Sequence, residues 1–180
     1  MVATGTAEVR ARATASTHAR LPGVAQRLRL PLHARSQQRM TARWGFDLNA
    51  PDASERAEAL LVESPADSDR LLLAAAVRSS RGDDAGALVA AQKAVQVDGG
   101  SASAHSTFAA LLVRTGDSAD AAGHAEAAAD IDPHDPSALY NRGLIRWTLG
   151  DRRAARGDFH SAAALLGIGT LPWWRRRQAR

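Results

Sequence analysis

The sequence predicts an all-α protein built from a row of helical hairpins, and three observations carry that expectation. Glycine followed by aspartate recurs at Gly82-Asp83, Gly116-Asp117 and Gly150-Asp151, each pair 34 residues from the last. Apolar residues fall at helical spacing on both sides of every break. Aromatic residues make up 4% of the chain while alanine is abundant, a balance that suits close-packed helices better than a sheet.

Aligned on the breaks, the units run 68–101, 102–135 and 136–169 with no insertion between them. In the first, Leu71, Ala74, Ala75 and Val77 precede the break, and Ala87, Ala91, Ala94 and Val95 follow it. The second has Phe108, Leu111 and Leu112, then Ala121, Ala125 and Ala128. The third has Leu139, Gly143 and Leu144, then Ala155, Phe159 and Ala162. Each glycine suits the left-handed residue that ends a helix. Each following aspartate, Asp83, Asp117 or Asp151, stands where a carboxylate can cap the next helix. Asp135-Pro136 opens the third unit in the same way, with proline at the first helical position. Arg81-Gly82-Asp83 spells an adhesion tripeptide, but turn chemistry accounts for it fully.

The pattern resembles the tetratricopeptide repeat (TPR) family, whose motif places small residues at the eighth, twentieth and twenty-seventh positions of a unit. Those positions hold Ala75, Ala87 and Ala94, then Ala109, Ala121 and Ala128, then Gly143, Ala155 and Ala162. Pro133 matches the proline near a repeat end, and Phe159 the large residue of a second helix. There are departures. The first-helix aromatic is replaced by Leu71, His105 and Leu139, the leucine three residues on by Ala74, Phe108 and Arg142, and the tyrosine by Arg78, Leu112 and Arg146. Trp147, one residue further, is positioned to compensate. The resemblance implies a TPR-type α-solenoid of antiparallel helix pairs.

Upstream, the register continues over 46–67 as a degenerate partial unit, with Ala53, Ala57 and Leu60 at second-helix positions; its first helix, within 36–47, is ill-defined. Residues 1–45 carry eight arginines against the single acid Glu8, show no periodicity, and are expected to form a basic, disordered segment. Residues 170–180 form a basic tail or cap containing Trp173 and Trp174, with Trp173 at the aromatic position of a further unit. The repeats themselves are near neutral, with 12 acids and 10 basic residues between Ser68 and Gly169. The high isoelectric point therefore belongs to the ends.

The same sequence narrows function by what it lacks. Without cysteine there is no disulfide framework, thiolate nucleophile or cysteine-ligated zinc. No apolar run approaches the roughly 20 residues that span a bilayer. No phosphate-binding glycine loop or nucleophile elbow is present. The histidines, His18, His33, His105, His124, His134 and His160, form no metal-binding pattern along one helix. We therefore expect no enzyme, no cofactor and no metal.

A TPR stack presents its first helices along a concave wall, and the resemblance implies a peptide or partner helix bound there. Carried over position by position, the implied groove residues are Leu72, Leu73, Ala76, Ser106, Thr107, Ala110, Arg114, Tyr140, Asn141, Leu144, Trp147 and Thr148. Tyr140, Asn141 and Trp147 form the richest cluster, because rings supply contact area and an amide can grip backbone. Members of the family that clamp acidic heat-shock-protein tails use cations and asparagines at positions held here by Leu72, Ala76, Thr107, Ser137 and Asn141. No cation stands among them, so this is no heat-shock-protein tail clamp. The expected function is a non-catalytic, cytoplasmic protein-interaction scaffold. The alternative is an accessory subunit or soluble tail of a membrane-associated assembly. In that reading Trp173, Trp174, Arg175, Arg176 and Arg177 contact an anionic membrane surface. Nucleic acid is a poor partner, because no basic stripe runs along the repeats.

Overall fold

Seven helices follow one another from Ala53 to Leu165 in the computed structural model, which describes Gly23, Gln38 and residues 41–48 and 50–168. They are α1 (Ala53–Glu63), α2 (Ser68–Ser80), α3 (Asp84–Val97), α4 (Ala102–Thr115), α5 (Ser118–Ile131), α6 (Pro136–Thr148) and α7 (Arg152–Leu165). No strand occurs among the described residues. Each helix packs on the next, and α6 also touches α4, so first helices adjoin along one side of the stack.

The turns sit at the glycines. Gly82, Gly116 and Gly150 adopt φ of 86°, 104° and 95°, where any side chain would be strained. After α2, the Asp83 N–H donates to the Arg78 carbonyl at 3.0 Å and the Gly82 N–H to the Ser79 carbonyl at 3.1 Å. Asp117 and Gly116 repeat this closure on Leu112 and Val113 after α4. The aspartates then act forward: Asp83 accepts from the Gly86 N–H at 2.9 Å and Asp151 from the Ala154 N–H at 3.0 Å. Asp117 departs from expectation. Its side chain makes no cap bond to α5, and its backbone alone serves the turn. Asp135 caps α6 through the Ser137 N–H at 2.9 Å, with Pro136 in the first turn.

The small residues lie where helices cross. Ala75, Ala87, Ala94, Ala109, Ala121, Ala128, Ala155 and Ala162 are all fully buried. Gly143 marks a close crossing, since a β-carbon there would meet Phe159 Cε1 at 2.7 Å and Cδ1 at 2.9 Å. Larger residues fill what remains: Phe108, Leu111, Leu112 and Ile145 bridge the second and third units, and Tyr140 and Phe159 fill the third.

The partial unit upstream of these three breaks the pattern. Thr41–Trp44 are already helical, inside the stretch expected to be disordered, and Gly45 ends that helix with φ 58°. The break lies 37 residues before Gly82 rather than 34, and α1 starts late, at Ala53. The longer connection folds inward: Phe46 is 1% exposed and packs with Leu48, Ala53 and Ala57 against Leu73 and Val77 of α2. The Thr41 hydroxyl fastens it by donating to the Phe46 carbonyl at 3.0 Å. Trp173, Trp174 and Arg175–Arg177 lie outside the described residues, as does nearly all of 1–40.

Candidate functional site: a groove along the first helices

A groove of about 870 Å³ runs along α2, α4 and α6 and is lined as well by the helical turn at 41–44. Leu72, Leu73 and Ala76 of α2 give it an apolar floor, with Leu73 only 1% exposed beneath the surface. Trp44 and Leu48 extend that floor. Hydroxyls from Ser79, Ser80, Ser103, Ser106, Thr107 and Ser137 and the amide of Asn141 supply its polar lining.

Asn141 is fixed by its neighbours. Its Nδ2 donates to the Ser106 hydroxyl at 2.8 Å and to the Ser106 carbonyl at 3.4 Å. A carbonyl can only accept, so the amide nitrogen must face Ser106 and the amide oxygen turns elsewhere. The two arginines of the lining are already engaged. Arg43 pairs with Asp69; Arg114 pairs with Asp84 at 2.7 Å and donates to the Ser79 hydroxyl. Asp135 adds a carboxylate to the lining, and it accepts from the Ser137 N–H.

Seven of the expected groove residues therefore come together: Leu72, Leu73, Ala76, Ser106, Thr107, Arg114 and Asn141. Five do not line it. Tyr140 is 8% exposed and packs on Phe159, ring centroids 5.7 Å apart, inside the third unit. Leu144 and Trp147 pack against the same cluster, and the Arg152 guanidinium lies 5.4 Å from the Trp147 ring centroid. Thr148 donates to the Ile145 carbonyl at 2.7 Å, and Ala110 is partly buried. The aromatic cluster expected around Asn141 is thus dispersed, because Tyr140 and Trp147 turn toward the core of the third unit. Conversely, the lining contributed by Ala42, Arg43, Trp44 and Leu48 was not expected. The 34-residue register hides it, because the turn at Gly45 stands three residues upstream of the place that the register gives it.

No family model matches the chain, and no curated protein matches it either. Solved structures do. The crystal structure of YrrB, described as a TPR protein with an unusual peptide-binding site, superposes with a TM-score of 0.55 at 20% identity. That match covers 69% of this chain and 64% of YrrB. The fold is that of the TPR proteins. A crystal structure of MamA superposes on this chain with a TM-score of 0.54 at 18% identity, over 62% of this chain and 65% of MamA. A second, designated MamA MSR-1 C2, matches 87% of this chain and 95% of its own at a TM-score of 0.52 and 11% identity. The chain thus spans somewhat under two-thirds of the YrrB chain and of the first MamA chain.

Three departures from the TPR motif find partners in the fold. Arg142 and Arg146, standing for leucine and tyrosine, both reach Asp158 of α7: Arg142 Nη2 donates at 2.7 Å and Arg146 Nη1 at 2.9 Å. His105, standing for the first-helix aromatic, meets His124 of α5 with the two Nδ1 atoms 2.9 Å apart. The His124 ring lies edge-on to Phe108, centroids 4.7 Å apart. Its pKa falls below the ordinary imidazole value, mainly through burial and further through His105, while Asp120 opposes the shift. Among the described residues no three His, Asp or Glu side chains are grouped to hold a metal, and no helix is long and apolar enough to cross a membrane.

Proposed function

We propose that the chain is a non-catalytic scaffold whose groove holds an extended peptide or a helix of a partner protein. The observation that carries this reading is the combination of an apolar floor at Leu72, Leu73 and Ala76 with a hydroxyl and amide lining whose two arginines are both paired. Such a surface takes apolar side chains below and backbone amides above. Asn141, whose nitrogen is held by Ser106, keeps its side-chain oxygen for a backbone N–H. The peptide-binding site of YrrB, on the same fold, supports a peptide as occupant. Affinity purification with the wild type and with Leu72→Glu/Asn141→Ala tests the proposal. Partners held by the wild type should be lost from the variant while its helical circular dichroism is unchanged. Equal recovery by both would refute the groove.

The alternative, docking to an anionic membrane through Trp173, Trp174 and Arg175–Arg177, rests on the sequence of that segment alone. Flotation with anionic vesicles, compared between wild type and Trp173→Ala/Trp174→Ala, tests it: binding lost in the variant supports it, and no binding by either protein dismisses it.

A further inference from the structure

The two histidines of the second unit are bonded to each other across the hairpin, and one of them is also bonded to the junction with the unit before. His105 Nε2 lies 3.2 Å from the Gly99 carbonyl, in the connection between α3 and α4. A carbonyl only accepts, so Nε2 carries the hydrogen, and in the neutral ring His105 Nδ1 is then an acceptor. The His124 Nδ1–H must donate to it across the 2.9 Å contact. In this arrangement the pair tolerates a first proton, on the free Nε2 of His124. It does not tolerate a second, which would set two N–H groups against each other.

We propose that the His105–His124 pair makes the closure of the second unit dependent on pH: the hairpin is held while one Nδ1 donates to the other and is loosened when both Nδ1 atoms carry hydrogen. The surroundings favour the uncharged state. Burial lowers the His124 pKa, with Asp120 of α5, one turn earlier, the charge that opposes it. In the α3–α4 connection the Asp98 carboxylate is engaged by the Gly100 N–H at 3.0 Å, and on α3 Lys93 is exposed. On α6, Arg142 and Arg146 are tied to Asp158 of α7. The sign follows. Folding disfavours the doubly protonated pair, so stability is full above the ordinary imidazole range near pH 6.5 and declines as the pH falls below it. In a stack whose stability is the sum of units and their interfaces, loosening the middle unit uncouples its neighbours. The further consequence, loss of a groove that spans α2, α4 and α6, rests on the function proposed above.

The other units supply the control, since Leu71 and Ala90 stand in the first where His105 and His124 stand in the second. Thermal unfolding of the full chain is compared between pH 7.5 and pH 5.0 for wild type and for His105→Leu/His124→Ala. The wild-type Tm should fall by about 4 °C more than that of the variant; an equal fall in both overturns the proposal. Hydrogen exchange of the wild type alone, corrected for intrinsic rates, provides a second reading that needs no variant. At pH 5.0 amides within 102–131 should lose protection ahead of those within 136–165. Uniform loss, or none, overturns the proposal as well.

Discussion

Arg142 of α6 grips Asp158 of α7 with a forked contact, Nη2 at 2.7 Å and Nε at 3.2 Å from Asp158 Oδ1. Asp158 is 5% exposed, and Arg146 fills its second oxygen at 2.9 Å. The third unit has therefore exchanged part of the apolar packing between its two helices for a buried, fully bonded carboxylate. Such a group contributes little net stability while intact and costs much when broken, because two part-buried cations lose their shared carboxylate. Asp158→Ala should destabilise the chain by about 3–5 kcal/mol, measured by urea unfolding. A loss under about 1 kcal/mol, typical of an exposed pair, would mean that the network is not buried in solution.

Gly143 and two other helical glycines should respond to alanine with opposite signs. Alanine is the better helix former by about 1 kcal/mol. At Gly123 of α5 and Gly157 of α7 a β-carbon meets nothing within 4 Å, so Gly123→Ala and Gly157→Ala should each stabilise by about 0.5–1 kcal/mol. At Gly143 it would meet the Phe159 ring at 2.7 Å, and overpacking of this kind costs about 1–3 kcal/mol. Gly143→Ala should therefore lower the urea midpoint while the other two raise it. A rise at all three would disprove the close crossing of α6 and α7.

The Gly-Asp turns offer a finer comparison. Asp83 caps α3 through its side chain, whereas Asp117 makes no such bond to α5. Asp83→Ala should cost about 1 kcal/mol and Asp117→Ala a few tenths at most. Gly116→Ala, at φ 104°, should cost more than about 1 kcal/mol from backbone strain. Equal losses for Asp83→Ala and Asp117→Ala would show that the two caps are alike.

Much of the fold was legible because its determinants are local and repeated. A positive-φ glycine at constant intervals announces each hairpin, and alanine at each helix crossing announces how closely the helices approach. The parts that escaped depend on contacts between elements. The break of the partial unit lies three residues upstream of register, at Gly45, so the helical turn at 41–44 read as a continuation of the basic segment. Tyr140 stands at a position that faces the groove in the motif, yet its ring packs on Phe159. The His105–His124 pair joins residues 19 apart on different helices, a separation with no local signature. Asp158 likewise reads as an ordinary surface acid until two arginines from the facing helix converge on it.

The central claim is that partners enter along the first helices, and site-specific photo-crosslinking tests it most directly. A photoreactive phenylalanine analogue would replace Ser103, exposed in the groove lining, or Val89, 52% exposed on α3, a second helix that contributes nothing to that lining. Adducts with a partner protein from position 103 and none from position 89 are the expected result. Adducts from position 89 with none from 103 would contradict it.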